Sequence, residues 1–295
     1  MEKHLKENNR TTDNDHEILN QCPWCFSEKY EKWGEENVRG FESVICADCN
    51  LIFIKNRLSK IGLDKFYSNY LTDVHQVDKK LNVQRGKMYN LEFNLVNQFS
   101  NKYSKVLDVG CSGGYFLDIF KENGYKCYGF EIGQAAAEQA KQKHKVWVDS
   151  FLDIEFGFDL IIFRGVIEHL PYPKKYLDKA VSLLNDKGLI YITSTPNSNS
   201  LCCNLFKEQW NQHSPEAHLM HFNPSHFDAY FSQNGFRKIT DFFFYEETPY
   251  AEIEEDILKI AKAIELKRNN LKINFQSPPF YRNMMSVIYK KENLR

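Results

Sequence analysis

The sequence predicts an α/β fold, a doubly wound and mostly parallel sheet of seven strands, preceded by a small N-terminal zinc ribbon. Two observations carry this prediction. From residue 105 onward, short apolar runs typical of strands alternate with amphipathic runs typical of helices, as in a parallel sheet covered on both faces. Upstream, two Cys-x-x-Cys pairs are separated by about twenty residues, a spacing typical of structural zinc.

Composition limits the class of protein. The 295 residues suffice for one large core, or one core plus a small module, and 42% hydrophobic residues is ordinary for a soluble protein. The formal net charge is −1, from 38 basic and 39 acidic residues, so no overall field would attract nucleic acid or anionic lipid. We therefore expect neither nucleic acid nor a membrane as a partner.

The sequence also indicates a compartment. Residues 1–16 are polar and lack the apolar stretch of a signal peptide, and no apolar run is long enough to cross a bilayer. We expect a cytoplasmic protein with a loose tail over residues 1–20. Its eight cysteines should then stay reduced, which favours metal ligation or plain burial over disulfides.

The predicted ribbon spans residues 21–57. Its metal ligands are Cys22, Cys25, Cys46 and Cys49, because two facing knuckles place four thiolates at the corners of a tetrahedron. A unit of this size is too small to be held together by burial alone, so the metal would supply most of its stability. Iron, or free buried thiols without a metal, are the alternatives.

The remaining chain divides into a connector and a main domain. Apolar residues at helical spacing, including Met88, Leu91, Leu95 and Phe99, predict one or two helices within residues 58–103. Residues 104–295 form the predicted main domain, with a long insertion over residues 197–228. Its seven strands are predicted in "KVLDVG", "KCYGFE", "KVWV", "FDLIIF", "GLIYITS", "RKITDFFFYEE" and "FYRNMMSVIYKK".

The first turn of the main domain predicts a ligand site. In an open parallel sheet the first βα turn is a usual binding place, and Gly110, Gly113 and Gly114 allow a ligand to approach the backbone closely. The spacing Asp108-x-Gly110-x-Ser112-x-Gly114 differs from the dinucleotide pattern. An acid here would repel a pyrophosphate but suits S-adenosylmethionine, which carries a sulfonium and an ammonium group and no phosphate.

Further residues at the strand ends complete the predicted cofactor site. Glu131 lies 21 residues after Gly110, where an acid typically accepts from the ribose hydroxyls. Asp149 and Phe151 follow the third strand and are predicted to meet the adenine. The neighbouring positions predicted to contact the cofactor are Cys111, Ile132 and Arg164.

These motifs resemble a known family. "VLDVGCSGG", "GFE", "FDLIIF", "VIEHLPYP" and "LNDKGLIYITSTPN" are similar to class I S-adenosylmethionine-dependent methyltransferases with a Rossmann-like fold. "CPWC", "CADCNLIF", "FYSNY" and "SPEAHLMHF" resemble bacterial members from sugar and surface-polysaccharide pathways.

Two positions depart from the pattern of this family. Ser112 stands where many relatives have glycine, and Gly165 stands where quinone-biosynthesis O-methyltransferases have an acid that helps hold a divalent ion.

The reacting end must align an acceptor with the methyl group and, for a hydroxyl acceptor, remove its proton. Histidine suits this role because it is largely neutral at pH 7. Candidates near the predicted rim are Glu168, His169, His213, His218, His221 and His226. His169 and His218 match family positions, so we predict that one of them takes the proton, that Glu168 orients the base, and that no metal is needed because Gly165 lacks the carboxylate. The alternative is that these two histidines and Glu168 form a divalent-metal site that lowers the pKa of the acceptor hydroxyl.

The insertion is predicted to form the wall of the acceptor pocket. Asn197, Trp210 and His218 are expected to face the acceptor, with His221 as a further contact. A lining rich in hydroxyl and amide groups with an aromatic residue fits a polar, ring-shaped acceptor such as a sugar.

The leading hypothesis is an O-methyltransferase that acts on a sugar, in particular a nucleotide-linked sugar. A sugar C-methyltransferase and a quinone-type O-methyltransferase are alternatives within the class. Two alternatives belong to other classes of protein. One is a nucleic-acid-binding or nucleic-acid-modifying protein that recognises nucleic acid with the ribbon, and the other is a scaffold without catalytic activity. A homodimer is left open. The neutral charge argues against nucleic acid, and the intact Asp108 and Glu131 argue against a scaffold.

Overall fold

The computed structural model describes residues 13–70 and 79–292, so most of the expected tail over residues 1–20 lies outside the described residues. The first half of the chain forms β1 (Tyr30–Lys32), β2 (Ser43–Cys46), β3 (Ile52–Ile54), α1 (Lys60–Tyr70), α2 (Lys79–Asn97), β4 (Lys105–Val109), α3 (Tyr115–Glu122), β5 (Lys126–Phe130), α4 (Gln134–Lys141) and β6 (Lys145–Trp147). The second half forms β7 (Phe158–Arg164), α5 (Pro173–Leu183), β8 (Leu184–Pro196), α6 (Leu201–Phe206), β9 (Met220–His221), α7 (Pro224–Gln233), β10 (Phe236–Phe242), α8 (Ile253–Arg268) and β11 (Met284–Lys291).

The main sheet has seven strands in the order β10-β11-β8-β7-β4-β5-β6. The strands β6, β5, β4, β7 and β8 pair in parallel, and β11 pairs antiparallel with both β8 and β10, so β11 is the strand that runs in the opposite direction. This confirms the predicted mostly parallel sheet. The apolar run in β7 is buried throughout from Leu160 to Phe163, because both faces of a central parallel strand are covered. The strand order reverses beside β4, so a ligand crevice is expected at the carboxyl ends of β4 and β7.

Helices cover both faces of this sheet. Phe93 and Val96 of α2 pack with Phe116 and Phe120 of α3 on one face. On the other face, residues of α5 and α7 pack in the same core as the ribbon. The helix α2, predicted as part of a connector, is thus a layer of the main domain, and Phe99 follows its end and is exposed. In the part of the chain that the structure describes, no helix is both long and apolar enough to cross a membrane.

The ribbon is continuous with the main domain. Its strands pair in the order β1-β2-β3-β9, and β9 comes from the insertion that follows β8. Ile52 pairs with His221 and Phe53 pairs with Met220. The ring of Trp24 packs edge-on against Phe222, with centroids 5.3 Å apart. This pairing covers the edge of β3, which a three-stranded ribbon ending at residue 57 would leave open.

Candidate functional site

The glycine loop between β4 and α3 folds back over the end of β5. Gly110 and Gly114 have φ values of +78° and +82°, a region that favours glycine. A Cβ on Gly110 would lie 2.6 Å from Cγ2 of Val166, so the loop has no room for a side chain there. The backbone N–H groups of Gly110 and Cys111 donate to the Phe130 carbonyl at 2.7 and 3.0 Å. The loop backbone is thereby fixed at the carboxyl edge of the sheet.

Glu131 joins this loop to the next one. Its Oε2 accepts from the N–H of Ser112 at 2.8 Å, and its Oε1 accepts from the N–H of Gly133 at 2.7 Å. Burial raises the pKa of Glu131, and these backbone donors act in the opposite direction. Each carboxylate oxygen has two lone-pair sites. The carboxylate therefore keeps acceptor capacity for a ligand donor such as a ribose hydroxyl.

Asp108 lies beneath the loop as a buried carboxyl group. It is 2% exposed, and its Oδ1 has no hydrogen-bond partner among the described residues. Burial raises its pKa to about 8, although the positive charge of Arg164 opposes this shift. A cationic ligand placed here would stabilise the ionised form, so the site fits a sulfonium or ammonium group.

The rim beyond Glu131 differs in part from the sequence prediction. Ile132 is 61% exposed and Asp149 is also exposed, as a contact with the cofactor requires. Phe151 is buried instead, with its ring stacked on Tyr176 at 5.5 Å, because the short turn after β6 directs it inward. The next side chain, Leu152, is 46% exposed.

Two other predicted cofactor residues point away from the loop surface. The Cys111 side chain is buried, and its Sγ would lie 2.5 Å from a Cβ on Gly129, so it packs beneath the loop. The Arg164 Nε donates to Oε2 of Glu92 at 2.6 Å, and its guanidinium lies over the Tyr89 ring at 4.4 Å. The orientations of the Cys111 and Arg164 side chains therefore give no support to the predicted contacts with the cofactor.

Sequence reasoning missed Glu92, the buried acid of α2. Its Oε1 accepts from the hydroxyls of Thr193 and Ser194 at 3.0 and 2.6 Å, and its Oε2 accepts from Arg164. This ion pair ties α2 to the ends of β7 and β8. The signal in the sequence was a single acid on the apolar face of the helix, beside Met88 and Val96.

Glu168, His169 and His218 come together at the end of β7. Glu168 and His169 lie in a short 3-10 turn (Ile167–His169), and His218 reaches them from the insertion. Their ligand-capable atoms all lie within 4.8 Å of one another, and the two imidazole centroids are 4.8 Å apart. The sequence placed all three at the reacting end, and the fold assembles them.

Hydrogen bonds orient the two imidazoles. The His218 Nδ1 lies 2.6 Å from the Gln212 carbonyl, which can only accept, so Nδ1 carries the proton and Nε2 has a free lone pair. The His169 Nδ1 lies 2.9 Å from the Tyr67 hydroxyl. Burial lowers the pKa of His169 to about 3 and also lowers the pKa of His218. Both rings are therefore neutral at pH 7.

Glu168 is the buried acid of this cluster. It is 1% exposed, and its Oε2 has no hydrogen-bond partner within residues 13–70 and 79–292. Burial raises its pKa to about 8. A neighbouring positive charge would stabilise its ionised form.

The predicted acceptor contacts of the insertion are used inside the protein. Trp210 Nε1 donates to Asn283 at 2.6 Å, and Asn197 Nδ2 donates to the Arg282 carbonyl at 2.9 Å. His221 is fully buried, with its Nε2 2.9 Å from the His213 Nδ1. The structure thus differs from the expectation that these side chains face the acceptor. The reason is that a long buried segment must pair its own polar groups.

His226 likewise has a structural role. It belongs to the capping box of α7, in which its Nδ1 accepts from the Asn223 N–H at 3.1 Å. Of the six rim candidates, His169, His218 and Glu168 are thus the group that forms a common centre.

A cavity of about 660 Å³ is lined in part by Arg164, Ser194 and Gln212, and Gln212 is also the residue whose carbonyl contacts the His218 Nδ1. Its walls come from α2 and from the segment between β10 and β11, which sequence reasoning had not assigned to the site. The wall residues include Arg85, Met88, Phe244, Tyr250 and Phe280. The lining combines aromatic and apolar side chains with polar ones, and the size of the cavity suits a small organic acceptor.

The four ribbon cysteines also converge. The Sγ atoms of Cys22 and Cys49 are 3.6 Å apart, and those of Cys25 and Cys46 are 3.5 Å apart. A tetrahedral zinc ion with Zn–S bonds of about 2.3 Å separates its sulfur ligands by about 3.8 Å. The arrangement therefore fits a closed four-thiolate metal site.

Comparison with known proteins assigns the family. A family model described as a methyltransferase domain matches residues 81–241, more than half of the 295-residue chain. The chain belongs to this methyltransferase domain family. The match begins inside α2, so it includes a helix that the sequence had assigned to the connector.

Individual relatives match only part of the chain. A tRNA U34 carboxymethyltransferase of Campylobacter jejuni is 28% identical over 115 residues, which are 35% of this chain and 40% of that protein. A ubiquinone biosynthesis O-methyltransferase of Glaesserella parasuis is 29% identical over 106 residues, 30% of this chain and 44% of that protein. The chain thus spans less than half the length of these curated relatives.

Solved structures share the fold. The crystal structure of a SAM-dependent methyltransferase from Archaeoglobus fulgidus matches with a TM-score of 0.51 at 23% identity. The match covers 72% of this chain and 100% of that chain. The likeness supports the methyltransferase architecture of the main sheet.

Proposed function

We propose that the protein is an S-adenosylmethionine-dependent O-methyltransferase that acts on a small, ring-shaped acceptor with a hydroxyl group. The observation that carries this proposal is the presence, at one edge of the sheet, of the buried Asp108, whose Oδ1 has no hydrogen-bond partner among the described residues, and of Glu131, which accepts from two loop N–H groups. Membership in the methyltransferase domain family supports the reaction class.

The proposed cofactor contacts follow from charge and hydrogen bonding. The sulfonium and ammonium groups bring positive charge to Asp108, whose ionisation is otherwise opposed by burial. The ribose hydroxyls donate to the lone pairs of Glu131 that Ser112 and Gly133 leave free. Ile132 and Leu152 offer exposed apolar surface at the rim, against which the adenine packs.

Methyl transfer is a displacement at an activated carbon. An electron pair of the acceptor oxygen forms the new C–O bond, the C–S bond breaks, and its electron pair stays on sulfur to give S-adenosylhomocysteine. The hydroxyl proton must also leave. The Nε2 of His218 has a free lone pair for it, His169 is the second candidate, and Glu168 orients the base. A general base contributes about a hundred- to ten-thousand-fold in rate.

Two acceptor classes have separate support. The polar residues Ser194 and Gln212 in the cavity lining support a sugar, the class favoured by the sequence. The aromatic wall at Phe244, Tyr250 and Phe280, together with the similarity to a ubiquinone biosynthesis O-methyltransferase, supports a hydroxylated aromatic ring of the quinone type. Both are small hydroxyl-bearing rings.

Structural zinc in the ribbon is part of the proposal. The convergence of Cys22, Cys25, Cys46 and Cys49 supports it. Among the described residues, no other His, Cys, Asp or Glu belongs to this group, so the four thiolates would be the complete ligand set. A closed four-thiolate site leaves no open position for a substrate. The ion would therefore stabilise the ribbon and take no part in methyl transfer.

Labelled methyl transfer tests the proposed reaction. The full chain is incubated with S-adenosylmethionine labelled on its methyl group and, separately, with nucleotide-linked sugars, dihydroxylated aromatic compounds and unmodified tRNA. We expect label on a ring hydroxyl of one small-molecule class, with loss of transfer in Glu131→Ala and parent-like transfer in the exposed control Glu155→Ala. Label on tRNA and on none of the small acceptors would contradict the proposal.

A further inference from the structure

We propose that Glu168, His169 and His218 together bind one divalent transition-metal cation at the reacting end of the site, an inference that rests on the proposed function for its role in catalysis. The sequence had favoured a reaction without a metal because Gly165 supplies no carboxylate. The fold brings a third ligand from a distant segment instead, since His218 approaches Glu168 and His169 across the insertion.

The donor set has the chemistry of a known kind of metal site. Two imidazoles and one carboxylate form a three-ligand face that leaves positions open for other ligands, as first-row divalent ions require. The three ligand atoms lie within 4.8 Å of one another. Adjacent ligands at about 2.1 Å from an octahedral ion are about 3 Å apart. Small rotations of the three side chains would therefore close the set around an ion.

The hydrogen bonds at the Nδ1 atoms of the two imidazoles resemble those that orient metal-binding histidines. The Gln212 carbonyl accepts from the His218 Nδ1, and the Tyr67 hydroxyl contacts the His169 Nδ1. In His218, Nδ1 is held by the Gln212 carbonyl and Nε2 is left for an ion. In His169, Nδ1 is held by Tyr67, and the ring also has a hydrogen bond with the Ala217 backbone that an ion would replace. Such partners fix ring orientation and tautomer at metal sites.

Glu168 supplies an independent indication of a missing cation. Its side chain is almost completely buried and its Oε2 is unpartnered in the described part of the chain, although buried carboxylate oxygens are normally hydrogen-bonded. Among the ion pairs of the described residues, none includes Glu168. A cation bound by Glu168 and the two imidazoles would satisfy this oxygen.

The proposed ion changes how the acceptor proton is removed. An acceptor hydroxyl bound at an open position becomes more acidic, because the ion stabilises the oxygen anion. The imidazole lone pairs are then occupied by the metal, so the proton passes to solvent water. The oxygen keeps its electron pair for the methyl carbon. His169 and His218 thus act as ligands whenever the ion is bound.

Manganese binding tests this inference directly. The full chain, with its ribbon loaded with zinc, is titrated with Mn²⁺, and free Mn²⁺ is measured by electron paramagnetic resonance. We expect one bound Mn²⁺ per chain and a loss of affinity of at least tenfold in Glu168→Gln and in His218→Ala. The matched controls Glu155→Gln and His16→Ala should bind Mn²⁺ like the parent, because neither belongs to the cluster.

The outcomes separate this inference from the proposed function. Circular dichroism and S-adenosylmethionine affinity, measured on the same samples, identify variants that fail to fold. Mn²⁺ uptake that depends on Glu168 and His218 supports the site even if no acceptor in the panel is methylated. No Mn²⁺ uptake, or equal uptake by the parent, Glu168→Gln and His218→Ala, would overturn the site even if methyl transfer occurs.

Discussion

The backbone N–H of Leu219 donates to the carbonyl of Glu168 at 2.9 Å. The carbonyl of Leu219 in turn accepts from the N–H of Ile54 in β3 at 3.0 Å. One residue therefore connects the ribbon to the turn that carries Glu168 and His169, and the adjacent residue in the chain is His218. The ribbon is thus a structural support for the cluster of Glu168, His169 and His218 that we propose as the reacting end of the site.

This connection predicts that damage to the ribbon lowers turnover. The purified parent should contain about one zinc per chain, and Cys49→Ser should lose it, melt at a lower temperature and turn over more slowly. S-adenosylmethionine affinity should change little, because the glycine loop lies on other strands. The control is Cys127→Ser in β5, which should keep its zinc. Protein prepared without chelator that contains no zinc would contradict the prediction.

The buried pair of Glu92 and Arg164 predicts a stability effect. Glu92→Gln leaves the guanidinium without its carboxylate and should lower the free energy of unfolding by about 3 kcal/mol, the lower end of the range for a broken buried pair. We choose the lower end because the Arg164 side chain is 20% exposed. Urea unfolding measures the change. A value within about 0.5 kcal/mol of the exposed control Glu155→Gln would contradict the role of this pair.

Asp108 predicts that cofactor affinity depends on pH. Its pKa is raised to about 8 by burial, and a bound cation would lower that pKa. Below about pH 8, binding then requires a proton to be released, so affinity should rise as pH rises, by at most about tenfold per unit. Calorimetry between about pH 6 and 7.5 measures this while the ligand's ammonium stays mostly protonated. Asp108→Asn should bind more weakly with a flatter profile, and a flat profile in the parent would rule out this role.

The hydrogen bond between the Tyr67 hydroxyl and the His169 Nδ1 predicts that Tyr67 influences the affinity for the proposed ion without binding it. Tyr67→Phe removes the outer partner of the His169 Nδ1 and should weaken Mn²⁺ binding by about 10- to 100-fold. S-adenosylmethionine affinity should be unchanged. The matched control is Tyr172→Phe, whose side chain is exposed. Equal Mn²⁺ affinity in both variants would show that Tyr67 does not position His169.

Local patterns predicted the parts of the site that are close in sequence. The alternation after residue 105 predicted the sheet, since each strand and helix has its own periodicity. Asp108 and Glu131 were predictable because they sit at the ends of consecutive strands, and the topology of a parallel sheet brings those ends together.

Contacts between distant segments were not predictable in the same way. The pairing of β3 with β9, the ion pair of Glu92 with Arg164, and the cavity wall at Tyr250 each join residues whose local sequence does not indicate a partner. Phe151 and Leu152 show the same limit on a smaller scale, because the direction of one short turn decides which of the two is buried. Their positions depend on packing.

Titration calorimetry of S-adenosylmethionine against the full chain tests the central claim most directly. The account predicts one cofactor per chain, and a loss of about 1.5–3 kcal/mol of binding free energy in Glu131→Ala, the range for hydrogen bonds to a charged group. The exposed control Glu155→Ala should bind like the parent, and NADH should not compete. Equal affinity in the parent and Glu131→Ala, together with effective competition by NADH, would contradict the account.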